Sequence, residues 1–226
     1  MKKLVSILMM LTLLFSLAAC SDNTNSGESF SPAPQSSESG SSQDAGSDHS
    51  STVPESSDSE SEPVAAGSKS LVVYFSWSGN TENVAKSIQS QTGSDIFEIV
   101  PATPYSDDYD TVLDSAQAEQ SENARPEIAD SMENLTDYDV IYVGYPNWWG
   151  DMPMILYTFF DSHDLSGKTI APFCTSGGSG LSDTVNEIKG LEPNATVTDG
   201  LHIGSGASSN PDDAVSEWLS EIGLAK

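Results

Sequence analysis

The stretch Ser76-Trp77-Ser78-Gly79-Asn80-Thr81 concentrates hydroxyls, a carboxamide and a glycine directly ahead of an apolar-periodic segment. If that segment is a helix, its first N–H groups lack helical acceptors and carry the positive end of the helix dipole. The loop is then an anion site. No Lys or Arg lies between Lys69 and Lys86, so a phosphate bound here is held by neutral donors alone. The Gly-Lys-Ser/Thr element of a P-loop and the GxGxxG turn of dinucleotide folds are both absent. Taken alone, the same residues also suit a plain turn and helix cap.

A second cluster is Tyr145-Pro146-Asn147-Trp148-Trp149-Gly150-Asp151-Met152-Pro153. Two adjacent tryptophans cannot both easily enter one core, which leaves Trp148 or Trp149 free to cover a planar ligand or to anchor an interface. Gly150 admits backbone conformations closed to other residues. A third cluster, Thr175-Ser176-Gly177-Gly178-Ser179-Gly180, offers hydroxyls and a backbone a ligand can approach closely; in isolation it reads equally as a flexible loop.

The elements that must position these clusters alternate along the chain. Leu71–Phe75, Ile96–Val100, Val140–Gly144, Thr169–Cys174 and Gly200–Gly204 are short apolar runs and read as strands. Thr81–Gln91, Asp108–Glu122, Met154–Phe160, Leu181–Lys189 and Pro211–Ile222 read as helices; the second is markedly acidic. Strands alternating with helices predict an α/β fold with a doubly wound, five-stranded parallel sheet, of which strand order 2-1-3-4-5 is a common form. Ligands of such sheets bind outside the carboxyl ends of the strands, and all three clusters fall there.

Over residues 69–226 the sequence resembles the flavodoxin family. The resemblance rests on Tyr74-Phe75-Ser76-Trp77-Ser78-Gly79-Asn80-Thr81, on Trp149-Gly150-Asp151 and on the loop after Cys174. It implies FMN as cofactor. Ser76, Ser78, Gly79, Asn80 and Thr81, with Trp77 among them, would wrap the phosphate. Pro146, Asn147, Trp148, Trp149 and Gly150 would meet the isoalloxazine, with Gly150 as a pivot near flavin N5. Thr175, Ser176, Gly177 and Gly178 would bond the pyrimidine edge. The family's third loop usually carries an aromatic, and here it has none, which points to one open flavin face. Trp148-Trp149 is also similar to the aromatic pair of flavodoxin-fold quinone reductases.

The preceding 67 residues carry different information. Lys2 and Lys3 precede an apolar run, Leu4–Leu17, that is too short to span a bilayer but suits a signal peptide. It ends in Leu17-Ala18-Ala19-Cys20, which resembles a lipobox; residues 1–20 are therefore expected to be a lipoprotein signal, with Cys20 the lipidated residue. Residues 21–67 are rich in Ser, Asp, Glu, Gly and Pro and are expected to be a disordered acidic linker between the anchor and a folded domain at 68–226. The placement expected from this is extracytoplasmic, lipid-anchored at the bacterial cell membrane.

The formal net charge is −26, and residues 68–226 alone carry about −19. Such a domain is a poor ligand for nucleic acid and can steer toward a cationic redox partner protein. With one cysteine, Cys174, the domain can form no internal disulfide, and His49, His163 and His202 follow no metal-binding spacing. The expected activity is electron transfer through bound FMN. The alternatives are an NAD(P)H-dependent FMN quinone or azo-type reductase, favoured by an open flavin face, and a non-catalytic FMN-binding lipoprotein.

Overall fold

A computed structural model describes residues 68–132 and 134–226. The expected signal segment, Cys20 and the linker 21–67 lie outside the described residues. The chain runs β1 (Ser70–Tyr74), α1 (Asn80–Thr92), β2 (Asp95–Glu98), α2 (Tyr109–Glu122), a 3-10 turn (Leu135–Asp137), β3 (Val140–Pro146), α3 (Met154–Ser162), β4 (Thr169–Ser176), α4 (Thr184–Leu191), β5 (Thr196–Val197), β6 (Leu201–Gly204) and α5 (Asp212–Glu221).

Every strand pairing is parallel, and the order is β2-β1-β3-β4-β5. This is the expected 2-1-3-4-5 sheet, with one refinement. The fifth position is shared by two short strands. Thr196 and Val197 pair with Thr169 and Ile170, and Leu201–Gly204 pair with Phe173–Ser176 further along β4. The first of these strands and the gap after it, residues 196–200, carry little apolar side chain, so only Leu201–Gly204 stands out in the sequence.

Successive strand residues point to opposite faces, and the cores divide accordingly. Leu71, Val73, Phe75, Ile141, Val143 and Tyr145 pack with α3 and with Ile188 of α4. Val72, Tyr74, Val140, Tyr142, Ala171 and Phe173 pack with Val84, Ala85 and Ile88 of α1 and Val215, Trp218 and Leu219 of α5. Gly144 in β3 is dictated by packing: an added Cβ would lie 2.1 Å from the Phe173 ring.

Three of the boundaries that differ from the sequence expectation have a local cause. The second strand ends at Glu98 rather than Val100, because Pro101 turns away to form an antiparallel bridge with Ile128. The fourth helix starts at Thr184 rather than Leu181, because Ser182 adopts φ 52°. The third strand runs on to Pro146, which brings Asn147 within reach of β4: its N–H donates to Thr175 O at 2.8 Å.

Candidate functional site

The loops after β1, β3 and β4 converge with α2 on a cleft of about 600 Å³. It is lined by Trp77, Ser78, Asn80, Pro146, Asn147, Trp148, Trp149, Thr175, Ser176 and Gly177, all expected from the sequence. That volume lies in the usual range for cofactor-sized ligands. No Lys or Arg is among the lining residues.

At one end, Gly79 takes φ 83°, a left-handed conformation glycine adopts without strain, and α1 begins immediately after it. Ser76 turns beneath the loop rather than into the cleft. Its Oγ accepts from the N–H groups of Gly79 at 3.1 Å and Glu82 at 3.3 Å. The N–H groups of Ser78, Asn80 and Thr81 have no partner among the described residues. They stand at the positive end of a 13-residue helix, a ready site for a phosphate. Thr81 is buried, and its hydroxyl bonds the Thr175 hydroxyl at 2.9 Å, tying the first loop to the third. Thr81 therefore offers the cleft its backbone N–H, while its side chain holds the floor.

The second loop separates the two tryptophans. The Trp148 ring meets Phe75 and Tyr105 edge-on, with centroids 5.4 and 5.3 Å away, and is half-buried. Trp149 is 51% exposed, and its indole N–H reaches Leu113 O of α2 at 3.2 Å. Trp149 is thus the ring with a free face. A pair of bonds, Trp148 N–H to Asp151 O at 2.8 Å and Asp151 N–H to Trp148 O at 3.0 Å, closes a turn with Trp149 at φ 55° and Gly150 at φ 84°. Two positive central φ values define a type I′ turn. A tryptophan in the left-handed region is strained by about 1–2 kcal/mol. Strain of this kind gathers at ligand-binding positions. Asn147 braces the turn: its Oδ1 accepts from Gly150 N–H at 3.0 Å, and its Nδ2 donates to Gly180 O and Ser182 Oγ.

The third loop is organised by Ser176, which is 5% exposed. Its Oγ accepts from the N–H groups of Gly178 at 3.2 Å and Gly180 at 3.1 Å and lies 2.8 Å from His202 Nε2. With both lone pairs engaged, the hydroxyl proton goes to His202, whose Nε2 is then an acceptor. Cys174 lies beneath, fully buried, and burial pushes its thiol up to about 12.

Tyr109, Val112, Leu113 and Ala116 of α2, together with Ser179 and Ser205, complete the cleft; none of these six was expected in the site from the sequence. Asp108 caps α2 by accepting from Thr111 N–H at 2.9 Å. The bond from the Thr111 hydroxyl, then that from its N–H, hold the Asp108 carboxyl below the usual range. Tyr109 pairs with Trp77, with centroids 6.1 Å apart. The cleft therefore has aromatic surface from Trp77, Tyr109 and Trp149, although its third loop has none.

The family model for flavodoxin matches residues 69–222. The chain belongs to the flavodoxin family. A flavodoxin from Picosynechococcus sp. is 30% identical over 145 residues, covering 62% of this chain and 71% of that one. A solved structure from Bacteroides eggerthii is 34% identical with TM-score 0.62, covering 69% of this chain and 98% of that one. A Lactobacillus acidophilus flavoprotein solved in complex with FMN is 27% identical with TM-score 0.55, covering 67% and 98%. Flavodoxin membership accounts for the sheet order and for three loops meeting at the strand carboxyl ends.

Proposed function

We propose that residues 68–226 bind FMN in this cleft and pass electrons between protein partners, on a domain tethered outside the cell membrane through lipidated Cys20 and the linker 21–67. One observation carries the cofactor assignment: unpartnered N–H groups at the start of α1 share a single cleft with the free face of Trp149. A phosphate end and a planar end are what a flavin mononucleotide presents. The Lactobacillus acidophilus relative, solved with FMN, supports the same reading.

Bound FMN supplies redox chemistry in one- and two-electron steps; the chain supplies binding, orientation and field. Ser78, Asn80 and Thr81 hold the phosphate without a counter-cation. Trp149 covers one ring face, and the turn Trp148–Asp151 presents backbone groups to the ring edge. Ser176 and His202 fix the loop that meets the pyrimidine side. The negative charge of the domain disfavours adding electrons and favours a cationic partner.

The absence of an aromatic in Thr175–Gly180 favours a second reading, an NAD(P)H-dependent quinone or azo-type reductase with an accessible ring. A non-catalytic FMN-binding lipoprotein is the third. Anaerobic titration of the FMN-loaded protein separates them. The carrier is reduced by dithionite and only slowly by NADPH. Rapid NADPH-dependent turnover with a quinone would replace this reading with the reductase, and a dithionite-reduced protein that passed electrons to no acceptor protein would leave only the binding role.

A further inference from the structure

We infer that Ser208 is a positioning residue for the phosphate site, acting through Asn80 on Ser78. This rests on the FMN reading above. The segment after β6 is tied to the end of β4 by Ser205 N–H donating to Ser176 O at 2.9 Å, and it bends back over the start of α1. There Ser208, 1% exposed, places its hydroxyl 2.7 Å from Asn80 Oδ1 and 2.8 Å from Ser205 O. Asn80 Nδ2 in turn donates to Ser78 Oγ at 3.0 Å.

Ser208 has one hydroxyl proton and two acceptors within reach, so alone it could serve either. A bound phosphate removes the choice. Phosphate only accepts, so the Ser78 hydroxyl points its proton at the ligand. Ser78 Oγ can then only accept from Asn80, which must present its NH₂ to Ser78 and its carbonyl oxygen to Ser208. Ser208 must donate to that oxygen, and exposed Ser205 finds water instead. The result is one directed chain, Ser208 to Asn80 to Ser78 to phosphate. In the reversed amide, Asn80 would turn its carbonyl oxygen toward Ser78 and the anion. With no Lys or Arg lining the cleft, this chain substitutes in part for the missing counter-cation. The chain favours the phosphate and is indifferent to the rings, so it discriminates FMN from riboflavin.

The test is to titrate FMN and riboflavin into the full-length protein and into Ser208→Ala, following flavin fluorescence, with thermal melting as a check on folding. The expected result is FMN affinity lower by about five- to tenfold, the scale of one net hydrogen bond, with riboflavin affinity unchanged. Unchanged FMN affinity, or an equal loss for both ligands, would overturn the inference, the latter showing a merely structural role. If Ser208→Ala does not fold, Ser208→Cys keeps the volume with a much weaker donor, and the same selective loss is expected. A wild-type protein that binds both flavins equally would instead defeat the underlying phosphate assignment.

Discussion

Replacing Gly150 with alanine separates a turn that merely holds its shape from one that moves when the flavin is reduced. Gly150 sits at φ 84°, and an added Cβ would meet nothing closer than Ser182 Oγ at 3.9 Å. The substitution therefore acts through the backbone, not through a clash. In a type I′ turn the second central residue has ψ near 0°, and alanine there is strained by about 1–2 kcal/mol. If the Gly150–Asp151 peptide rotates on reduction, so that its carbonyl accepts from the protonated N5, two things change. The Asp151 N–H to Trp148 O bond breaks, and Gly150 enters a region with positive φ and ψ near 180°, essentially reserved for glycine at about 1–3 kcal/mol for other residues. Between the midpoints of the two ranges the difference is about 0.5 kcal/mol. For a one-electron couple this lowers the first reduction potential by about 20 mV. The assay is spectroelectrochemistry of FMN-loaded wild type and variant. A weaker FMN complex with an unshifted first potential would refute the rotation and leave Gly150 as a static turn residue.

Further outcomes follow from single sites. Gly144→Ala drives a methyl into the Phe173 ring and should destabilise the domain by about 1–3 kcal/mol, read by urea denaturation. Cys174 should be silent to thiol reagents in the native protein and react once denatured. Because burial raises its thiol, the fold favours the protonated form. Its contribution to stability is therefore full below the ordinary thiol value of 9.0 and is lost as pH rises from there toward about 12, which melting curves across that range will show. If Cys20 carries the proposed lipid, Cys20→Ser should release the protein from the membrane fraction; retention of the variant would contradict the anchor.

The sheet was readable because its strands are buried on both faces and appear as continuous apolar runs, as in Leu71–Phe75 and Val140–Gly144. The three loops were readable because their residue types are unusual at strand ends. The choice between Trp148 and Trp149 was not. It depends on Phe75 and Tyr105 closing around Trp148, contacts remote in sequence. The α2 wall was also hidden: that helix looks acidic and solvated, and its inward stripe is only Val112 and Ala116, with Leu113 and Tyr109 at the rim. Ser208 and His202 left no local signal, since each matters through a hydroxyl or carboxamide that the fold brings to it across strands or helices.

On the proposed reading, the loop before α1 holds the phosphate of FMN with neutral donors. The most direct measurement compares dissociation constants of FMN and riboflavin, for wild type and for Thr81→Asp, which sets a carboxylate at the start of α1. One FMN per chain is expected, held far more tightly than riboflavin, with the preference abolished in Thr81→Asp by like-charge repulsion. Equal affinities for FMN and riboflavin in the wild type would contradict it.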